Sequence, residues 1–460
     1  MSATISQFNI YSLHGYRTIK VPIQDNKIVL VGENGTGKST VANLIYYFLT
    51  CQWHKIADYE FKEITAIINE QELTVTKQQT DSASESRSTA SFHRQYPRSL
   101  VQRLENIVAA QEPIQLIENK DSIISLAANA GVPIRIAEDF LRIKTKQYSS
   151  LNEALKQTSK DIKKFLNFQI LYLPTYRRIE QDLKAILPEL DLDGTLFKER
   201  ELTRRKQSNY VEIVEFGMED VEATIKGKMD ELKDNFRTGL NYLTGTYLRD
   251  VIRQTYQNVE VDKLQNLDNS TIESIFGRID EKVLPKQDQQ SLREFIEKIQ
   301  NENIRNIENE RKIVAYFLLK LIDLQQTQKT QEQNVRDFIE VCNNYLVGKK
   351  IVYDNINFKI NVNLEREDKK CDKLEMRMLS SGEKQIVSLF SHIYLSGLTG
   401  YFVIIDEPEL SLSVPWQKRF LPDIINNKRC NGLVAVTHSP FIFQNNVLDN
   451  YTHNLEEFVE

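Results

Sequence analysis

Short apolar runs at Ile5–Ile10, Ile19–Ile23 and Lys27–Val31 predict three strands, the last with the β-branched run of a buried strand. Val41–Leu49 is mostly apolar and lacks Gly and Pro, which predicts a helix. Phe61–Ile68 and Glu72–Lys77 alternate around Asn69-Glu-Gln and predict a β-hairpin. Gln79–Arg94 is polar and Ser-rich and reads as a flexible surface loop. From Ser99 to about Phe165 the spacing turns helical: Leu100, Leu104 and Val108 recur every four residues, and Ile136–Ile143 continues the mode. Phe168–Pro174 is a short apolar strand. Ala185–Tyr345 is rich in Glu, Lys, Gln and Asn, with apolar positions near every third or fourth residue, as at Ile296, Ile299, Ile304, Ile307, Ile313, Tyr316 and Leu319. Its heptads are too irregular for a long two-stranded coiled coil, so a compact helical insert is expected. Strands resume at Lys350–Asn363, and no repeat at solenoid periods interrupts the series.

Composition narrows the class without setting a function. The chain has 460 residues, enough for two or three lobes, with 27% charged residues and a net charge of −5. That balance gives no global pull toward nucleic acid and leaves a local basic patch open. Met1–Gln7 is polar and lacks the signature of a signal peptide, and no run approaches the roughly 18 apolar residues of a membrane span. Cys51, Cys342, Cys371 and Cys430 are scattered, which suggests neither a zinc site nor a disulfide framework. A cytoplasmic location, with no membrane partner, is the expectation.

The chemistry begins at Gly32-Glu33-Asn34-Gly35-Thr36-Gly37-Lys38-Ser39-Thr40, which fits Gly-x-x-x-x-Gly-Lys-Ser/Thr between a predicted strand and helix. Glycines let backbone N–H groups curl around a phosphate, and a helix N-terminus adds partial positive charge. Lys38 can reach the β and γ phosphates of ATP, and Ser39 can offer a hydroxyl to Mg²⁺. Tyr401-Phe-Val-Ile-Ile-Asp406-Glu407 is an apolar strand ending in two carboxylates. Asp406 would hold Mg²⁺ through water, and Glu407 would polarise the attacking water as general base. Gly432–Pro440 predicts a strand that delivers Thr437 and His438 at its carboxyl end, beside the acidic pair.

Met378-Leu-Ser380-Ser381-Gly382-Glu383-Lys-Gln385 looks like the signature of ABC-type ATPases, with Ser381 in place of the first glycine. In that resemblance Ser380 and the N–H groups after it cap a helix and grip the γ-phosphate on an opposite subunit, and His438 contacts the same phosphate and orients the water. Phosphate loop, signature, acidic pair and histidine follow the ABC order. Glu409-Leu-Ser-Leu-Ser413 stands where the D-loop belongs. The order implies a head-to-head dimer closed on two ATP molecules.

Spacing sharpens the class. Lys38 and Glu407 are 369 residues apart, too far for a transporter cassette. The chain thus resembles the SMC and RecF group. Its expected fold is an α/β, ABC-type P-loop head with a mixed central sheet, split by a large helical insertion. The expected segments are an N-terminal ATPase part (1–97), a helical block (98–167), a core strand with its loop (168–184), a helical insertion for dimerisation or partner binding (185–345) and a C-terminal ATPase part (346–460).

Leu171–Glu180 and Asp406–Phe420 further resemble the OLD-like ABC ATPases of bacterial anti-phage defence. That group includes the ATPases of the PARIS (AriA), Septu (PtuA) and retron-linked systems, with the PARIS type the first choice. The resemblance implies an ATP-hydrolysing sensor and scaffold, assembled into a higher oligomer such as a hexamer. It also implies a phage-encoded trigger protein and a separate effector nuclease, Toprim-type in PARIS. Glu460 lies 22 residues after His438, so a Toprim domain is expected on another polypeptide. A RecF-type DNA-repair clamp is the alternative, and DNA binding stays open. Where many ABC heads carry a glutamine after the core strand, this chain reads Pro174-Thr-Tyr-Arg, and Gln181 is a weak substitute. Arg177 and Arg178 have two open readings: contact with nucleotide, nucleic acid or a partner, or pairing with acidic residues at a lobe interface.

Overall fold

The computed structural model describes residues 3–84, 104, 107–108, 120–129, 132–149, 153–174, 210–212, 218–259, 262–265, 267–279, 281–282, 284–302, 308–365, 373–397, 400–444 and 446–460. The chain divides into two compact units: Met1–Phe216 with Gly397–Glu460, and Gly217–Ser396.

The first unit opens with β1 (Ile5–Leu13), β2 (Arg17–Pro22) and β3 (Lys27–Val31), followed by α1 (Lys38–Leu49), β4 (Glu63–Ile68) and β5 (Gln71–Thr76). Three further helices follow: α2 (Lys77–Ser84), α3 (Lys120–Asn129) and α4 (Ile134–Ser149). Then come α5 (Glu153–Phe165), β6 (Gln169–Leu173) and β7 (Tyr210–Glu212). The expected loop at Gln79–Arg94 needs correction. Its first residues lie in α2, where the Thr80 hydroxyl donates to the Lys77 carbonyl at 2.8 Å; residues 85–94 lie outside the described residues.

The second unit contains α6 (Met218–Ile252), α7 (Asn269–Gly277), α8 (Lys286–Glu302), α9 (Asn309–Asn343), β8 (Lys349–Asp354), β9 (Lys359–Leu364), β10 (Lys373–Leu374) and α10 (Ser381–Leu395). The apolar spacing across 296–324 thus belongs to two helices, with Ile304 and Ile307 outside the described residues. The chain then returns to the first unit with β11 (Tyr401–Asp406), α11 (Val414–Ile425), β12 (Cys430–Val436) and β13 (Thr452–Asn454).

Parallel and antiparallel strands are divided between sheets. The central sheet runs β13-β3-β12-β11-β6-β7, and each of its pairings is parallel. A second sheet, β2-β1-β4-β5, is antiparallel. In the β4–β5 hairpin Asn69 and Glu70 both have positive φ, 51° and 66°, as a two-residue turn of the favoured twist requires. In the second unit β10-β9-β8 forms a small antiparallel sheet.

The main core of the first unit joins both its sheets through α1. Val41, Leu44, Ile45 and Phe48 share a cluster with Phe8, Ile10 and Ile64 of the antiparallel sheet and Phe402, Ile404 and Val434 of the parallel one. A helix apolar on most of its faces is stable only when enclosed in this way. That enclosure holds the start of α1 at the carboxyl ends of β3, β12 and β11, where open parallel sheets bind ligands.

Candidate nucleotide site

The phosphate loop is built by backbone conformation. Gly37 caps α1 at φ 97°, a left-handed value that disfavours a residue with Cβ. Gly32 meets a different demand, because a Cβ there would come within 3.1 Å of Asn454 Oδ1. Asn454 reaches that point because β13 pairs with β3 in the register Asn454↔Val31. The loop also closes on itself: the Thr36 hydroxyl donates to the Glu33 carbonyl at 2.9 Å. Arg17 Nη1, from β2, donates to the Thr36 carbonyl at 3.1 Å and braces the loop from the antiparallel sheet. Glu33, Asn34 and Gly35 are exposed at its tip, and Thr40 continues α1 behind Ser39.

Lys38 is buried and folds back over this loop. Its Nζ donates to the carbonyls of Gly32 and Glu33 at 2.8 and 2.7 Å. Burial lowers the ammonium pKa, against the attraction of Glu407, Asp406 and Glu409. Two of its three donors are engaged by carbonyls that phosphate oxygens could replace.

The acidic strand arrives where the sequence predicted. The Ser39 hydroxyl donates to Asp406 Oδ1 at 3.0 Å, across 367 residues of chain. A hydroxyl and a buried carboxylate side by side suit Mg²⁺, which takes few protein oxygens and keeps waters or phosphate oxygens for the rest. Among the described residues no group of three or more His, Cys, Asp or Glu could hold a metal ion.

Glu407 leaves β11 at φ 51°, a conformation rare for a residue with Cβ. Its N–H donates to the Val436 carbonyl at 2.8 Å, which continues the pairing with β12 through the turn. Burial, then the neighbouring Asp406 and also Glu409, push its carboxyl pKa up, while His438 and Lys38 oppose the shift. His438 sits at the end of β12 with Nδ1 4.0 Å from Glu407 Oε1.

Glu409 enters this cluster from the segment expected to form the D-loop. Its Oε2 accepts the Thr437 hydroxyl at 2.8 Å, and its Oε1 accepts the His438 N–H at 3.2 Å. The available signal was a third carboxylate two positions after the pair, in Glu407-Pro-Glu409. Arg17 and Asn454 carried no comparable signal, since Arg17 reaches the loop by a side-chain bond from the other sheet and Asn454 through the pairing of β13 with β3.

The structure therefore brings Gly32–Thr40, Asp406, Glu407 and His438 together in the first unit. Ser380, Ser381, Gly382 and Glu383 belong to the second, at the start of α10. There the Ser380 Oγ accepts from the Glu383 N–H at 3.4 Å, and Glu383 Oε2 accepts from the Ser380 N–H at 2.7 Å, a capping box. Lys349 Nζ also holds Glu383, at 2.9 and 2.7 Å. Burial opposes ionisation of Glu383, but Lys349 and the Ser380 amide outweigh it and lower the carboxyl pKa. Arg177, Arg178 and Gln181 lie outside the described residues. No helix among the described residues is long and apolar enough to cross a membrane.

The profile of the AAA ATPase domain family matches residues 4–443. No curated protein matches the chain. Two solved structures show remote likeness. One is the Smc head domain with an extended coiled coil, bound to the C-terminal domain of ScpA, from Pyrococcus furiosus: 11% identity over 96% of this chain and 91% of that one, TM-score 0.34. The other is the Smc head domain with a coiled coil and joint from Pyrococcus yayanosii: 14% identity over 96% and 93%, TM-score 0.31.

Proposed function

The chain belongs to the AAA ATPase domain family, and on that premise we propose that it binds ATP with Mg²⁺ and hydrolyses it as one half of an ABC-type head dimer. The observation that carries this reading is the 3.0 Å bond from Ser39 to Asp406, with Glu407 and His438 beside it at the ends of adjacent parallel strands.

Backbone N–H groups of Gly32–Lys38 would cradle the phosphates, and Lys38 would exchange its carbonyl partners for phosphate oxygens. Bound Mg²⁺, held by Ser39 and Asp406, would offset the charge on the β and γ phosphates. Glu407 is the group suited to take the proton of the attacking water, because it stands next to Asp406 at the end of β11 with His438 Nδ1 4.0 Å from its carboxylate. His438 would orient that water. Ser380 and Gly382 of a second subunit would complete the site, as the motif order implies.

We extend the reading to biology from the resemblance of Leu171–Glu180 and Asp406–Phe420 to anti-phage ATPases. In it the protein is the sensor and scaffold of a defence complex, and its ATP cycle holds or releases a separate nuclease when a phage protein is sensed.

The test is Glu407→Gln in the full-length chain. It should bind ATP, lose turnover by about 10²–10⁴-fold, and accumulate an ATP-dependent particle of twice the subunit mass. Native-rate hydrolysis by this variant overturns the assignment. For the cellular role, normal effector release by the same variant after trigger expression removes the proposed mechanism. DNA-stimulated hydrolysis with steeply salt-dependent duplex binding would instead favour a repair clamp.

A further inference from the structure

We propose that Glu409 is a positioning residue for hydrolysis, and that its carboxylate holds the Thr437–His438 turn so that the imidazole faces Glu407. The inference rests on the ATP-hydrolysing reading above. Three contacts carry it. Glu409 Oε2 accepts the Thr437 hydroxyl at 2.8 Å, Oε1 accepts the His438 backbone N–H at 3.2 Å, and the same Oε1 lies 3.6 Å from His438 Nε2. One carboxylate thus holds the histidine's backbone by a hydrogen bond and lies beside its ring. On the opposite side of the ring, Nδ1 faces Glu407 Oε1 at 4.0 Å, so the imidazole stands between two acidic side chains.

Glu409 also attracts Lys38, but its direct side-chain contacts go to the histidine turn. Its side chain is only 9% exposed, and removing a carboxylate from water is unfavourable unless hydrogen bonds or a cation compensate. Among the described residues, every side-chain hydrogen bond and ion-pair contact of Glu409 goes to Thr437 or His438. Thr437 is itself fully buried, its N–H donates to the Leu30 carbonyl at 3.1 Å, and its hydroxyl also accepts the Ser439 N–H at 3.0 Å. The turn is therefore anchored to β3 on one side and to Glu409 on the other. Replacing Glu409 by Ala would free the second anchor and leave the Thr437 hydroxyl and the His438 N–H without their acceptor. The ring could then rotate away from Glu407, although Glu409 touches neither phosphate nor water in this scheme.

A loss that passes through His438 has a distinctive kinetic form. In the full-length chain, Glu409→Ala should lower kcat by about 10–100-fold, with the KM for ATP within about threefold of wild type, since small misplacements of a catalytic group act on the chemical step. Glu409→Gln keeps an oxygen for the His438 N–H and should recover most of that loss, with a thermal midpoint close to wild type. In a His438→Ala background, Glu409→Ala should change kcat by less than about twofold, because coupled residues are non-additive. Thr437→Val provides a second probe of the same anchor and should behave likewise, with a smaller loss. The proposal is overturned if Glu409→Ala loses as much in the His438→Ala background as in wild type, or if its whole effect lies in KM. If Glu407→Gln and His438→Ala both hydrolyse ATP at the native rate, the ATP-hydrolysis reading itself has failed. Additive losses with those two variants impaired remove only the role of Glu409.

Discussion

At the scale of single residues, the cluster stores both strain and unfavourable charge at Glu407. A side chain held at φ 51° costs on the order of 1–3 kcal/mol, and burial beside Asp406 adds a penalty to its ionised form. Both features aim a carboxylate into the site at the expense of stability. Glu407→Gly relieves the backbone strain and removes the carboxylate, while glycine adds its own entropy penalty of about 0.5–1 kcal/mol. The expected outcome is a variant with a higher thermal midpoint than wild type and no measurable hydrolysis, checked by thermal denaturation and a phosphate-release assay. A lower midpoint would show that the left-handed turn is not strained.

At the scale of elements, α10 shows how a functional motif doubles as a helix cap. Ser380 and Glu383 satisfy each other's backbone N–H groups, and Lys349 from β8 pairs with the same carboxylate. Glu383 was expected to act in the trans signature, yet its charge is committed inside its own unit. The pH consequence follows from the direction of its shift. The native carboxyl pKa lies below its ordinary 4.5, so the folded state binds fewer protons than the unfolded one as pH falls. Its contribution is therefore complete above about pH 4.5 and fades as pH drops toward the native value. Glu383→Gln should destabilise the protein by about 1–3 kcal/mol at pH 7. The gap should close in acid, as read from denaturant midpoints across the pH range. Elements also show what periodicity resolves. The alternation of Glu72–Lys77 matches β5, where Leu73 and Val75 are buried and Glu72 and Thr74 exposed, because period-two burial is written in consecutive residues; β4 buries Ile64, Thr65 and Ala66 in succession. The short strand β7 is not predicted by the sequence, because three residues carry no readable period. The polar start of α2 read as loop because Gln, Thr, Asp and Ser are as common in turns as on an exposed helical face.

For the whole molecule, two compact units divide the nucleotide motifs between them. The phosphate loop, acidic pair and histidine lie in one, and the signature segment in the other. The proposed dimer gives the exposed Ser380–Ser381 pair its use: to meet ATP held by a second copy. Ser381→Arg keeps both members of the capping box but adds bulk and charge to that face. It should bind ATP as tightly as wild type, yet remain monomeric by light scattering in a Glu407→Gln background and hydrolyse no ATP in the native one. A normal ATP-dependent dimer in this variant would argue against a site completed in trans.

Much of the site is legible in the sequence, for a local reason. A phosphate loop needs glycines at fixed spacing between a strand and a helix, and a metal-binding carboxylate needs an apolar strand behind it. These demands are met by neighbours in sequence, so Gly32–Ser39, Asp406 and Glu407 stand out as candidates, whereas His438 is singled out by the order of motifs and the resemblance. What depends on strand adjacency could not be read this way. The order β13-β3-β12-β11-β6-β7, with α1 packed on it, brings Asn454 to Gly32, Ser39 to Asp406 and Glu409 to Thr437. Those meetings are set by the packing of α1 between two sheets, an energy shared by dozens of buried side chains and assigned to no short stretch. The sequence by itself therefore determined which chemistry the chain carries, while the tertiary structure decided which side chains hold that chemistry in place.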